Sequence, residues 1–387
     1  MAIVSDYLSQ AELALAAYAD LTGPASGYKT ALEAVGVASP QADALLSNYT
    51  VVEQYTDSTG LSATVFEDGG GKKYLAIRGT EPEANDLITD GLLGLGLPAS
   101  LIPQFAALKA HLDTVWLADG GKLHGETFTV TGHSLGGFLA VGIAAQFATQ
   151  VSHAYLYNSP GLGGVLGSFN PILRALGVMA ELSPTRVSNL KAEAGPSLIA
   201  GLGYQVSPSV PVEIENQSAP GISNPPPSGN HSIQVLTDAL AVQAAFARLD
   251  PTLTQAQLNT LVDFSGTHAN DVLEASLDGL RQLLLGPDVT ATPADNRDSF
   301  YANLYDLQGS AAYGALSGNA QITVLSTSNA ASIKDLAAND TDLGLATRYA
   351  LTALNPFVLT GIDYSSFNTD GALDRYRSEN TEWRIAA

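Results

Sequence analysis

The sequence predicts an α/β fold: a mostly parallel sheet with helices on both faces, followed by a mainly helical C-terminal region. Three observations carry this. Runs rich in β-branched and aromatic residues alternate with apolar helical stretches up to about residue 250. Glycine-rich turns join the first three of those runs, as hairpins require. Beyond Asp250 helical spacing dominates and a single strand-like run remains. The 387 residues suffice for one large domain or two ordinary ones. The change of pattern sets the division at 1–250 and 251–387.

The elements follow in order. MAIVSDYLSQAELALAAYADLTG reads as an amphipathic helix. The strands YTVVEQYT, LSATVFE and YLAIRGT come next, separated by the turns DSTG and DGGGKK. The run ANDLITDGLLGLGLPASLIPQFAALKAHLDTVW lacks a clean period in its glycine-rich first half. Its second half has helical spacing at Phe105, Leu108, Leu112 and Val115. Strand ETFTVTG, helix LGGFLAVGIAAQFA, strand VSHAYLYNSP and strand RVSNLKAE follow. The alternating VPVEIEN reads as an edge hairpin. The stiff loop ISNPPPSGNHS leads into helix IQVLTDALAVQAAFARL. Past residue 250, TQAQLNTLVDF, ANDVLEASLDGLRQLLLG and TDLGLATRYALTAL are helical, and QITVLS is the strand-like run.

The net charge of −21 argues against nucleic acid and anionic membrane surfaces as partners, because their phosphates would be repelled. High salt, calcium-rich surroundings and plain solubility all suit such a surface. With no cysteine, the chain has no disulfide, thiolate metal site or cysteine nucleophile. The N-terminus has no basic start and carries Asp6, Glu12 and Asp20, unlike a secretory signal. No apolar run reaches the length of a membrane span, so a transmembrane segment is not expected. A cytoplasmic location, export by a route without an N-terminal signal, and origin as a fragment of a larger secreted protein stay open.

The chemistry centres on Gly132-His133-Ser134-Leu135-Gly136. With 37 glycines in the chain, a bare G-x-S-x-G carries little weight. Its context carries more: a strand enters and a small-residue helix leaves, as a nucleophile elbow requires. Glycine at 132 and 136 removes side chains that would collide with neighbouring elements. The serine hydroxyl is then lifted to a helix N-terminus, where backbone N–H groups favour negative charge. An ordinary βα turn with a capping serine is the alternative.

A serine needs a base. The chain has His111, His124, His133, His153, His231 and His268. In the elbow order Ser, acid, His, the base must follow Ser134. His153 is too close, and His268 starts a C-terminal helix. His231 follows Pro225, Pro226 and Pro227 and precedes a helix, which suits it to the sheet edge. No aspartate lies between Asp119 and Asp238, leaving Glu181, Glu193, Glu213 and Glu215 as acids. Glu193, just past a strand, is favoured; its carboxylate would hold the imidazole's tautomer and stabilise imidazolium. For the oxyanion, the N–H groups of Leu135 and of Thr80, at the strand end Arg78-Gly79-Thr80, are the candidate donors.

With these pieces in order, the motifs AIRGTEP, VTGHSLGG and YLYNSP, followed by an acid and a late histidine, resemble the class 3 lipase branch of the α/β-hydrolases over residues of about 10 to 245. The resemblance implies an α/β-hydrolase fold and acyl-ester hydrolysis with no cofactor required for chemistry. It also implies a cleft at the C-terminal strand edge and often a mobile lid. It places Thr80 and Leu135 at the oxyanion hole. The segment NDLITD matches the family with Leu87 where a tryptophan is usual, and the acid is Glu where Asp is usual. Residues 91–103, GLLGLGLPASLIP, follow the oxyanion strand as lids do, while a buried connector explains them equally. Leu92, Leu97 and His133 are assigned to substrate binding. The C-terminal part is similar to hydrolase modules of RTX-type secreted bacterial proteins, which are acidic, cysteine-free and lack N-terminal signals. Their calcium-binding nonapeptides do not occur here. A structural calcium ion stays open, although NTDGALDRYRSE matches a calcium loop only loosely and reads as a solvated turn.

No H-E-x-x-H, P-loop or strand-following G-x-G-x-x-G is present. The expectation is a serine carboxylic-ester hydrolase, lipase- or phospholipase A-like, acting on lipid or other acyl esters through an acyl-enzyme. A non-lipolytic esterase, a polyesterase, a peptidase on the same fold and a non-enzymatic module on a dead hydrolase fold are the alternatives.

Overall fold

The computed structural model describes residues 3–79, 101–161, 182–193, 205–215, 229–262, 272–294, 296–325 and 328–377. It divides into two units. One comprises Ser5–Ser218 with Ile222–Asp238, the other Ala239–Ala387 with Met1–Val4 and Ala219–Gly221.

The first unit is built on a seven-stranded sheet whose spatial order follows the chain. Helices α1 (Ile3–Ala16), α2 (Tyr28–Ala34) and α3 (Ser39–Asn48) precede it. Strands β1 (Tyr49–Thr56), β2 (Ser62–Asp68) and β3 (Lys73–Ile77) form two antiparallel hairpins, as the turn residues predict. From β3 onward the pairing is parallel, through β4 (Phe128–His133), β5 (Val151–Tyr157), β6 (Val187–Ala192) and β7 (Ser209–Val212). The expected edge hairpin at VPVEIEN is instead this last edge strand, parallel to β6. Alternation reports a strand but not the direction of its partner.

Helix α4 (Leu101–His111) lies between β3 and β4 in the chain and α5 (Leu135–Gln146) between β4 and β5, and both pack on one face of the sheet. There they enclose the core. Phe128 and Val130 of β4 point into it, with Phe105, Leu108, Phe138 and Ile143. Helix α5 is buried along Leu135–Ala145, which explains its apolar residues on every side. The other residues of β4 point to the face covered by α1: Thr131 Oγ1 donates to the Gln10 carbonyl at 2.9 Å. Polar and apolar faces of one strand thus reach two helix layers.

Helix α6 (Ile233–Leu249) contains the division between the units. The second unit is mainly helical: α7 (Gln255–Val262), α8 (Val272–Leu285), α9 (Arg297–Gly309), α10 (Ala311–Leu316), α11 (Ala330–Ala338) and α12 (Asp342–Ala353). Asn296, Ser310, Asn329 and Thr341 cap four of them through side-chain oxygens. The strand-like QITVLS supplies β8 (Ile322–Val324), and it has a partner that the sequence pattern did not reveal, β9 (Phe357–Leu359). Three residues are too few to display a period of two. Residues 364–376 form short 3₁₀ turns closed by Asn368 Oδ1, which accepts from the Leu373 N–H at 2.8 Å. Among the described residues no helix is long and apolar enough to cross a membrane.

Candidate active site

Ser134 stands between β4 and α5 with φ 56° and ψ −128°. A non-glycine residue there is strained, and the surroundings must enforce it. They do: the Ser134 N–H is bonded to the Tyr157 carbonyl at 2.9 Å, and its carbonyl accepts from Gly137 N–H at 3.0 Å. The flanking glycines are there for space. A Cβ on Gly132 would lie 2.4 Å from the Gly136 carbonyl carbon, and one on Gly136 would lie 2.2 Å from the Ile77 carbonyl oxygen. Helix α5 begins at Leu135, so its positive end meets the serine.

The end of β3 presses against this turn. A Cβ on Gly79 would come 2.6 Å from the His133 carbonyl oxygen and 3.2 Å from Ser134 Cβ. Thr80, the expected second oxyanion donor, lies just outside the described residues. So do Glu181, Leu87, Leu92, Leu97 and His268, and residues 91–100 of the expected lid. Residues 101–103 begin α4.

His231 ends a 3₁₀ turn, Gly229–His231, directly before α6. Its carbonyl oxygen accepts from His133 Nε2 at 2.7 Å and from Asn158 Nδ2 at 3.2 Å. The two imidazoles are 4.8 Å apart, so His231 lies beside the residue preceding Ser134. No hydrogen bond among the described residues joins Ser134 to His231; such contacts often tighten only with substrate. Burial pushes the His231 imidazole down to about 4.

His133, assigned above to substrate binding, is buried with both ring nitrogens engaged inside the fold. Nδ1 faces the Tyr18 hydroxyl at 2.9 Å, opposite the Nε2 contact with the His231 carbonyl. A carbonyl only accepts, so Nε2 carries the proton and Tyr18 donates to Nδ1. Burial, then the neighbouring His231, holds the His133 imidazole down at about 3, against the opposing effect of its bond to the carbonyl.

The candidate acids leave the sheet at the ends of adjacent parallel strands. Glu193 follows β6, and its N–H bonds to the Val212 carbonyl at 2.9 Å. Glu213 follows β7. Glu193 is exposed and Glu213 is 7% exposed. Glu215 is part-buried. The backbone before Glu193 comes close to the base through Asn158, whose Oδ1 accepts from Ala192 N–H at 2.8 Å while Nδ2 reaches the His231 carbonyl. Sequence reasoning passed over Asn158 and Tyr18. The signal for Asn158 is in YLYNSP, an amide directly after a strand-like run. Nothing local marks Tyr18. Among the described residues no three His, Asp or Glu side chains converge as a metal site would need.

Residues 9–165 match a phospholipase-like family model described as the Tle-like phospholipase domain. No curated protein gives a significant match to the chain. Among solved structures, the Lip2 lipase from Yarrowia lipolytica is 19% identical, with a TM-score of 0.36, over 58% of this chain and 82% of that one. A lipase from Rhizopus microsporus var. chinensis is 14% identical, with a TM-score of 0.32, over 49% and 67%. The family match agrees with the lipase-like ester hydrolase that the motifs led one to expect, and the parallel sheet with its flanking helices is an α/β-hydrolase-like fold.

Proposed function

We propose that the chain is a lipolytic carboxylic-ester hydrolase acting through an acyl-enzyme on Ser134. The observation that carries this is the strained serine, φ 56° and ψ −128°, held at the N-terminus of a buried helix against the end of β3. Nothing in an ordinary turn needs that strain, whereas an elbow that exposes a nucleophile does.

In this reading neutral His231 takes the Ser134 proton as Oγ attacks the ester carbonyl. The oxyanion is met by the N–H groups of Leu135 and Thr80. Collapse expels the alcohol, which takes its proton from imidazolium. Water, deprotonated by His231, then attacks the acyl-serine, and the acid leaves with Ser134 restored. The chain's own groups suffice for these steps, and no cofactor is invoked. A lipid ester, with phospholipid first, is the proposed substrate, in keeping with the matched family.

Glu193 is the proposed orienting acid, supported by the Asn158 link between its strand end and His231. A second reading gives this role to Glu213, because it is buried where Glu193 is exposed. The test of the function is a panel of p-nitrophenyl esters from short to long acyl chains, a phospholipid and a triglyceride, run beside fluorophosphonate labelling. Hydrolysis with labelling at Ser134 is expected. Turnover undiminished in Ser134→Ala would sink the reading.

A further inference from the structure

We propose that Asn158 and His133 are positioning residues that hold the candidate base by its main-chain carbonyl, and so set the spacing of Ser134, His231 and the strand end bearing Glu193. The proposal rests on the acyl-transfer reading above.

Asn158 is fully buried and has φ 47°, a left-handed conformation that glycine adopts without strain. An amide side chain stands there instead, and both of its ends are used. Oδ1 accepts from Ala192 N–H and Nδ2 donates to the His231 carbonyl, while the Asn158 N–H bonds to the Leu190 carbonyl at 2.9 Å. The neighbours dictate this orientation, since one is an obligate donor and the other an obligate acceptor. One side chain therefore ties the ends of β5 and β6 to the turn bearing His231.

His133 supplies the second hold. It is next in the chain to Ser134, and its Nε2 reaches the same carbonyl oxygen. Two donors from two strands occupy that oxygen and fix the peptide plane after His231, and with it the direction of the His231 side chain. The Tyr18 hydroxyl keeps His133 in the required tautomer. Burial keeps His133 neutral across ordinary pH, so Nδ1 stays an acceptor for the Tyr18 hydroxyl while Nε2 donates to the carbonyl. Misplacing a base by about 1 Å costs on the order of 100-fold in rate, which is the advantage of a double hold.

Four variants test this: Asn158→Asp, Asn158→Gly, His133→Leu and His133→Gln. Asn158→Asp tolerates the left-handed backbone and keeps the acceptor for Ala192, but loses the donor to His231. Asn158→Gly relaxes the backbone and removes both bonds, which guards against a variant that fails to fold. His133→Gln retains an amide donor, and His133→Leu does not. We expect kcat on a soluble ester to fall about 10- to 100-fold in Asn158→Asp, Asn158→Gly and His133→Leu with KM within about twofold, and to recover in His133→Gln. In ¹⁵N NMR titrations the His231 midpoint should rise from about 4 toward the ordinary imidazole range as the turn loosens and the ring gains water. Unchanged kcat and an unmoved midpoint would overturn the proposal. A His133→Gln variant as impaired as His133→Leu would also overturn it, by showing that His133 merely fills space. If the parent protein hydrolyses no ester and Ser134 takes no fluorophosphonate, the acyl-transfer reading fails separately. The His231 titration then still decides the hold, and an unmoved midpoint in the Asn158 variants counts against it.

Discussion

His133 Nε2 donates to the carbonyl oxygen of His231 at 2.7 Å, across 98 residues of chain. The residue before the candidate nucleophile thus holds the main chain of the candidate base. Both rings are desolvated, and burial holds both in the neutral form, which the proposed base role of His231 requires and which leaves His133 Nδ1 an acceptor for Tyr18.

The pH profile should show this. The folded-state pKa of His231 lies below its ordinary value, so the neutral base persists as pH falls until about 4. The acid limb of kcat/KM on a soluble ester should centre there. A limb near pH 6.5, the ordinary imidazole value, would mean a base in open water.

Stability should respond in the same direction. Unfolding releases both imidazoles to their ordinary pKa, so between about 6.5 and 4 the unfolded chain binds more protons than the folded one. The share of stability due to these two groups is full above about pH 6.5. It falls as the pH drops toward the folded values. Chemical unfolding of the parent and of His133→Gln at several pH values measures it; the variant should show the shallower slope through that window.

On the proposed mechanism, Ser134→Ala and His231→Ala should each remove several orders of magnitude of kcat, and the double variant should lose little more, as groups acting as a unit do. Losses that multiply in the double variant would show that they work apart.

Glu193→Gln should lower kcat strongly with KM near its parent value. The same loss in Glu213→Gln instead would transfer the orienting role to the buried carboxylate past β7. Steady-state kinetics on both variants decides between neighbouring strand ends.

Gly136→Ala should destabilise the fold by about 1–3 kcal/mol and displace the elbow, because its Cβ would meet the Ile77 carbonyl oxygen at 2.2 Å. Gly314→Ala, inside α10 with nothing within 4 Å of its Cβ, should be neutral or stabilising by up to about 1 kcal/mol. Thermal unfolding of the pair separates crowding from backbone entropy.

Much of the first unit was legible because its signals are local. The hairpin turns, the alternation of β4 and the all-apolar α5 each state their own structure. The elbow was legible for the same reason, since Gly132 and Gly136 flank Ser134 within five residues. What could not be read depends on pairing at a distance. The direction of β7 is set by β6, and β9 exists only because β8 lies beside it. The engagement of His133 by Tyr18 joins residues 115 apart, and no pattern along the chain encodes that meeting. The choice among the glutamates by elimination could not see burial, which is what separates Glu193 from Glu213.

In the seven-stranded sheet, position in space repeats position in the chain. A chain growing from its N-terminus can therefore add each strand to an edge already in place, without waiting for a later segment to be threaded in between. Strand β4, which leads into Ser134, is made early, while the turn bearing His231 is made roughly a hundred residues later. On the ribosome, at about 5–20 residues per second, that order leaves an interval of several seconds or more in which the candidate nucleophile has been made and the candidate base has not. A nascent chain in that interval would carry the elbow without the turn that the proposed mechanism needs beside it.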